Sequence, residues 1–309
     1  MESGRIAELG WPKWRGERHR LEVWYATFTD AATGDGYWLH HEVVAPADET
    51  ARPYAHGWLS TFPVDGAPAT SRFGPAPVGQ TGWFSAGDVL VDEGVLRGPG
   101  WDLRFDGGGG RPLYTFPKVA WDRQLLPAAQ IVPYPAATFS GRVGDVHIDE
   151  ARGALARIYG HGSAERWAWL HADLGDGAVL EVVAAAPRRR GALNLRPLPV
   201  VRLRLGGEDW PRANFTNAVT GRARVDLPRW SVSVRTRRRR LHASVVIPPE
   251  RSVVLTYVDP DGSTCTCTNS ERASADITVE AYDGGWRTEH HWSLDGSAHA
   301  EVGRRPQTR

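Results

Sequence analysis

The sequence predicts an all-β protein made of two tandem antiparallel β domains. Three observations predict it. Short runs with two-residue alternation recur along the chain, clusters of Gly, Pro and Asp separate them, and helical periodicity is nearly absent. A chain of 309 residues is long for one such domain and comfortable for two. The strand pattern begins again after "GRVGDVHIDEARG", so the expected domains are residues 1–150 and 151–309.

The elements follow in order. "RLEVWYATFTD" (Arg20 to Asp30), the turn "AATGDG" and "YWLHHEVVAP" (Tyr37 to Pro46) read as a hairpin with a longer loop. Short strands are expected at Ala55 to Phe62, Gly82 to Ser85, Val89 to Val91, Val95 to Arg97, Trp101 to Phe105 and Thr138 to Val143. Such regular spacing belongs to a barrel or a sandwich. The Gly- and Pro-rich stretch "DGGGGRPLYTFPKVAWDRQLLPAAQIVPYPAA" reads as a long surface connection, because proline cannot donate to a central ladder. In the second half, strands are expected from Leu155 to Tyr159, Arg166 to Ala172, Val179 to Ala186, Val200 to Leu205 and Trp210 to Ala218. They continue from Arg222 to Leu294 in seven further runs, with a closing strand to Val302.

Composition narrows the function classes. Thirty-seven basic residues against thirty-six acidic ones give a net charge of +1, so no whole-protein field attracts nucleic acid or anionic lipid. The runs "APRRRGAL" and "RTRRRRLHA" read as exposed turns or protected strand edges. No apolar run is long enough for an integral membrane segment and the N-terminus has no signal-peptide core, so a cytoplasmic location is expected. Two cysteines, Cys265 and Cys267, exclude a disulfide framework and cannot complete a tetrahedral zinc site. Fourteen tryptophans are the unusual feature, and indoles make flat walls for apolar ligands as readily as they fill cores.

Two clusters could carry chemistry. In "YGHGSAERWAWLHADLGDG", strand alternation places Glu165, Trp167, Trp169, His171 and Asp173 on one side, with Arg166, Ala168, Leu170 and Ala172 on the other. A Trp-rich face of this kind lines a cavity or packs on a partner domain. His161, Glu165 and His171 are the candidate general acids or bases, because an imidazole or carboxyl beside indole rings is desolvated. Their offsets match no metal motif, and no metal is expected. In "GYWLHHEVV", Trp38, His40 and Glu42 share one face, either as a polar pair of a barrel or as its solvent side. No G-x-S-x-G elbow is present, which argues against covalent catalysis.

The order "EVWYATFTD…TGDGYWLHHEVVAP", "FSGRV", "ARIYGHGSAERWAWLHA", "YVDPDGSTCTCTNSERASADITV" and "AHAEVG" resembles a two-domain superfamily of lipocalin-like proteins. That group includes the carotenoid 1,2-hydratases (hydroxyneurosporene synthases), the tocopherol cyclases and lipocalin-like Diels-Alderases. The resemblance implies two tandem lipocalin-like (calycin) β-barrels and an isoprenoid- or polyketide-like apolar ligand. It also implies hydration, cyclisation or isomerisation in secondary metabolism without a cofactor. Where hydratase-like members carry His-x-Trp-Gly, this chain has Arg157, Ile158, Tyr159 and Gly160, so the acid-bearing histidine is missing unless His161 replaces it. The resulting site expectation is His161, Glu165 and His171 as catalytic groups, with Tyr159, Trp167, Trp169, Trp38, His40 and Arg157 against the ligand. A non-catalytic carrier of apolar ligands and an aromatic-surfaced carbohydrate binder are the alternatives. The sequence leaves the oligomeric state and the exact substrate open.

Overall fold

The computed structural model describes residues 6–108, 110–188, 195–212, 218 and 220–306. Two compact units emerge. One comprises residues up to Tyr114, Lys118–Ser163 and Val258–Ser263; the other comprises Thr115–Pro117, Ala164–Tyr257 and Thr264 onward. The changeover falls after Ser163 and not at residue 150, because the strand spanning Val146–Gly160 pairs along its length within the first sheet.

The first unit contains β1 (Arg20–Thr29), β2 (Gly36–Ala45), β3 (Tyr54–Phe62), β4 (Ala69–Ala76), β5 (Phe84–Ala86), β6 (Val89–Asp92), β7 (Val95–Gly98), β8 (Trp101–Asp106), β9 (Leu113–Tyr114), β10 (Ala128–Val143) and β11 (Val146–Gly160). They form one antiparallel sheet in the order β4-β3-β2-β1-β11-β10-β8-β7-β6-β5, with β9 beside β10, curled into a nearly closed barrel. Alternation sorts the side chains as expected: Tyr37, Leu39 and Val43 join the barrel core, whereas Trp38, His40 and Glu42 take the other face.

The core is aromatic and filled. Phe28 stacks on Phe139 at 4.5 Å and on Tyr37 at 5.1 Å, and Trp83 lies at 6.3 Å from Tyr134. One end is closed by the chain itself, since Trp24 Nε1 donates to Gly10 O at 2.8 Å and Arg157 donates to Leu9 O and to the Glu22 carboxylate.

The expected surface connection from residue 106 to 137 is corrected in part. A short helix covers Lys118–Asp122, but Ala128–Ala137 belongs to the central strand β10 despite Pro133 and Pro135. The ladder runs from Ile131↔Arg157 to Tyr134↔Leu155 to Ala137↔Gly153, so β10 carries one extra residue at each step. These bulges let the prolines sit where no N–H is required. Asp122 pairs with Lys118 at 2.5 Å and not with the adjacent Arg123.

The second unit contains β12 (Arg166–Gly175), β13 (Ala178–Ala186), β14 (Leu198–Leu205), β15 (Glu208–Trp210), β16 (Arg222–Arg224), β17 (Arg229–Arg235), β18 (Arg239–Val246), β19 (Val253–Val258), β20 (Thr264–Tyr282) and β21 (Trp286–Arg304). Their order, β15-β14-β13-β12-β21-β20-β18-β17-β16 with β19 beside β20, repeats the outline of the first sheet. Its core is mostly aliphatic, with Ala168, Leu170, Ala172, Val182, Val232 and Ile277 among its members, and it also holds the buried indole of Trp230. β20 and β21 are each 19 residues long and bend at register shifts near Ala273 and Val279, which lets one hairpin follow the curvature. The expected strand from Trp210 to Ala218 is seen only to Trp210, with residues 213–217 outside the described set. "APRRRGAL" likewise lies largely outside it. No helix among the described residues is long and apolar enough to cross a membrane.

Buried His41 points into the first core, with Nδ1 3.3 Å from Trp24 O and Phe84 and Trp101 around the ring. Burial, aided by the charge of His40, pushes it down to about 3. An unfolded histidine takes up its proton near 6.5 and this one resists until about 3, so its contribution is present above pH 6.5 and is lost as pH falls toward 3. The expected slope is about 1.4 kcal/mol per pH unit in that window. Denaturant titrations of wild type and His41→Phe at pH 7 and pH 5 check it: the variant loses less stability on acidification.

Candidate functional site

The register of five adjacent strands, β14-β13-β12-β21-β20, builds a grid on the face opposite the second core. Its first row runs Arg202, Glu181, His171, His299 and then Glu271 where β20 bulges. The second runs Val200, Val183, Trp169, Glu301, Asn269, and the third Leu198, Ala185, Trp167, Gly303, Cys267. Period-two alternation explains why Trp167, Trp169 and His171 share this face while Ala168, Leu170 and Ala172 enter the core. Gly303 is required by the third row: a Cβ there would meet the Trp167 ring at 2.0 Å, so the indole lies directly over the glycine backbone.

The middle of the grid, His171, Glu181, Asn269, Glu271 and His299, is buried and polar, Trp167 and Glu301 are partly buried, and the groups are held by specific contacts. Trp169 Nε1 donates to Glu181 Oε1 at 2.6 Å, and His171 Nδ1 donates to Glu181 Oε2 at 3.0 Å. This fixes the histidine tautomer and leaves its Nε2 buried, with no hydrogen-bond partner among the described residues. Trp167 Nε1 donates to Glu301 Oε1 at 2.7 Å, and Cys267 Sγ lies 3.5 Å from Glu301 Oε2.

Burial raises the Glu301 carboxyl above the usual carboxylate range, although the hydrogen bonds from Trp167, Cys267 and Asn269 pull it partly back. Glu271 is raised well above that range by burial, and His299, 3.5 Å away, is held well below the usual imidazole value by burial and by the charge of His171. Burial also pushes the Cys267 thiol well up, so it is no nucleophile. The face therefore presents two carboxyls raised above the usual carboxylate range, one of them, Glu301, bonded to an indole, and a carboxylate-held imidazole. Such groups can donate a proton to an apolar molecule and take one back.

The first unit carries a second polar face. Nε2 of His40 and Nε2 of His56 lie 3.3 and 3.4 Å from Glu42 Oε2, and His40 stacks flat on Trp58 at 4.0 Å. Burial alone would raise Glu42; the two imidazoles outweigh it and hold the carboxylate down to about 2. Trp38 packs edge-on against Trp58 at 5.3 Å. Among the described residues, no group of three or more His, Cys, Asp or Glu is arranged to hold a metal ion.

The expected site residues are thus distributed. Trp167, Trp169 and His171 stand in the grid. Glu165, half-buried, lies ahead of β12 with its backbone bonded to Ala186 and Arg305. His161, half-buried in the first unit, donates its N–H to Pro127 O, and its ring meets His19 edge-on at 5.6 Å. Trp38 and His40 belong to the first unit's polar face. Arg157 is engaged by Glu22 and Leu9 O between Trp24 and Trp121, and Tyr159 packs with Trp121, Ala129 and Ile131. Sequence reading missed Glu181, Glu271, His299 and Glu301. The available signal was single ionisable residues in apolar runs, "VLEVVA" and "AHAEVG", where His299 and Glu301 alternate onto one face.

Comparison with known proteins agrees with this architecture. The family model described as tocopherol cyclase-like matches residues 134–304. Two uncharacterized proteins of Mycobacterium tuberculosis (strains CDC 1551 / Oshkosh and ATCC 25618 / H37Rv) are each 46% identical over 305 residues, covering 95% of this chain and 89% of theirs. Among solved structures, the chain is similar to an AttH protein of Nitrosomonas europaea, with a TM-score of 0.55 at 12% identity over 92% of both chains. It is also similar to kievitone hydratase of Nectria haematococca, with a TM-score of 0.53 at 10% identity over 93% of this chain and 89% of that one. These two likenesses establish the lipocalin-like fold. Together with the match to the family model, over more than half of its length, they leave one conclusion: the chain belongs to the tocopherol cyclase-like family.

Proposed function

We propose that this protein is a cytoplasmic enzyme of secondary metabolism that holds an isoprenoid- or polyketide-like apolar molecule and promotes its hydration, cyclisation or isomerisation. The observation that carries the reading is Glu301, a partly buried carboxyl that accepts from Trp167 Nε1 and pairs across the sheet with Trp169, on the face of the second sheet opposite its core. In this reading Glu301 takes the acid role that the sequence assigned to His161 or Glu165. It protonates an alkene carbon, and the indole faces stabilise the resulting carbocation. His171 Nε2, oriented by Glu181, then accepts the proton released when water adds, an internal hydroxyl closes a ring, or a neighbouring C–H is lost. Membership of the tocopherol cyclase-like family supports this class of chemistry. Substrate shape supplies the rest, since a flexible chain held in one conformation has already lost its orientational entropy.

Both cores are built mainly of buried apolar side chains, which favours this polar, indole-bearing face as the ligand site. The test is solvent extraction of the purified protein with mass spectrometry, paired with quenching of tryptophan fluorescence by polyenes. An apolar compound that co-purifies and quenches is expected. Absence of both sinks the reading, and a compound that binds but is never converted reduces the protein to a carrier.

A further inference from the structure

The arginine run "RTRRRR" has a structural setting that the proposed chemistry does not use. The β17–β18 turn (residues 236–238) and the β20–β21 turn (residues 283–285) sit side by side at one end of the second sheet, joined by Tyr282 N–H donating to Arg238 O at 2.9 Å. Two of the arginines are neutralised locally: Arg239 pairs with Glu289 at 2.7 Å, and Arg240 makes a two-pronged bond to Glu280. Arg235, Arg237, Arg238 and Arg287 are exposed, and none has a carboxylate within ion-pair distance among the described residues. The tip therefore concentrates positive charge on a chain whose net charge is only +1.

Aromatic rings stand among these charges. Trp286 is flanked by the guanidinium groups of Arg235 at 4.9 Å and Arg240 at 4.7 Å, and Tyr282, half exposed at 49%, lies 5.3 Å from it. An exposed tyrosine beside a guanidinium-bracketed tryptophan, ringed by unpaired arginines, suits the headgroup layer of a bilayer. There indoles and phenols take the boundary between apolar and wet, and arginines meet lipid phosphates. A nucleic-acid reading fits less well, because the two rings sit beside each other at one tip and form no groove along which bases could stack.

We propose that this tip docks the protein on an anionic lipid surface. The inference is independent of the catalytic reading, and its test reads binding alone. Purified full-length protein is sedimented with vesicles of phosphatidylcholine mixed with phosphatidylserine, and with vesicles of phosphatidylcholine alone. Binding is expected on the mixed vesicles only, weakening as salt rises. The double substitution Arg237→Gln/Arg238→Gln is expected to lower partitioning about 30-fold, from the usual contribution of each cation near such a surface. Tyr282→Ser is expected to lower it at every salt concentration, whereas Arg142→Gln, an exposed arginine of the first unit, leaves it unchanged. All three variants lie in exposed positions, and matching thermal unfolding confirms that they fold. Equal binding to neutral vesicles, no binding to either, an unaltered double variant, or tighter binding to a DNA duplex than to mixed vesicles would each overturn the proposal.

Discussion

Replacing Glu22 by alanine is expected to lower the stability of the protein by about 3–5 kcal/mol, a fall in Tm of about 10 °C. Glu22 sits at the closed end of the first barrel, where its carboxylate accepts from Arg157, from the backbone N–H of Lys13 at 2.8 Å and from that of Trp14 at 2.9 Å. Arg157 is 1% exposed and lies over the faces of Trp24 and Trp121 at 4.9 and 5.5 Å. Removing the carboxylate leaves a guanidinium buried without its counter-charge and frees the N-terminal segment that stops the barrel. Most of the loss comes from the stranded charge, so Glu22→Leu combined with Arg157→Met is expected to recover much of it. Thermal and urea unfolding of the single and double variants measure this. A single variant within about 2 °C of wild type would show that the pair contributes little.

Glu301→Gln is the second large effect. Glutamine keeps the volume and still accepts from Trp167 Nε1, but it has no acidic proton to give. With the substrate found by extraction, conversion is expected to fall by about 10²–10⁴-fold while ligand binding, read by tryptophan quenching, stays within a few fold. The pH dependence has a definite sign. Because burial raises the Glu301 pKa, the proton-bearing form extends above the usual carboxylate range, and the rate declines as pH rises through that raised value. A Glu301→Gln protein that turns over normally removes Glu301 as the acid, while the binding part of the reading stands or falls on extraction.

The partition of side chains between faces was legible without the structure. In β12 the alternation of Trp167, Trp169 and His171 against Ala168, Leu170 and Ala172 follows from the pleat alone, and so does that of Trp38, His40 and Glu42 against Tyr37, Leu39 and Val43 in β2. The all-β architecture came from the same source, through turn residues that interrupt each run. Proline's lack of an N–H makes β10 look like a connection in the sequence, whereas two bulges carry Pro133 and Pro135 within a paired strand.

What the sequence by itself determined, then, is which residues travel together on each strand, because a two-residue period is a local property of the backbone. Only the tertiary structure decided which strands lie side by side. Trp167 meets Glu301 across 134 positions of sequence and Arg157 meets Glu22 across 135, and neither pairing leaves a local trace. The hydrogen-bond register of the second sheet brings a lone glutamate in "AHAEVG" between two indoles as a partly buried carboxyl. The register of the first sheet likewise commits Arg157 to the Glu22 carboxylate at the closed end of the first barrel.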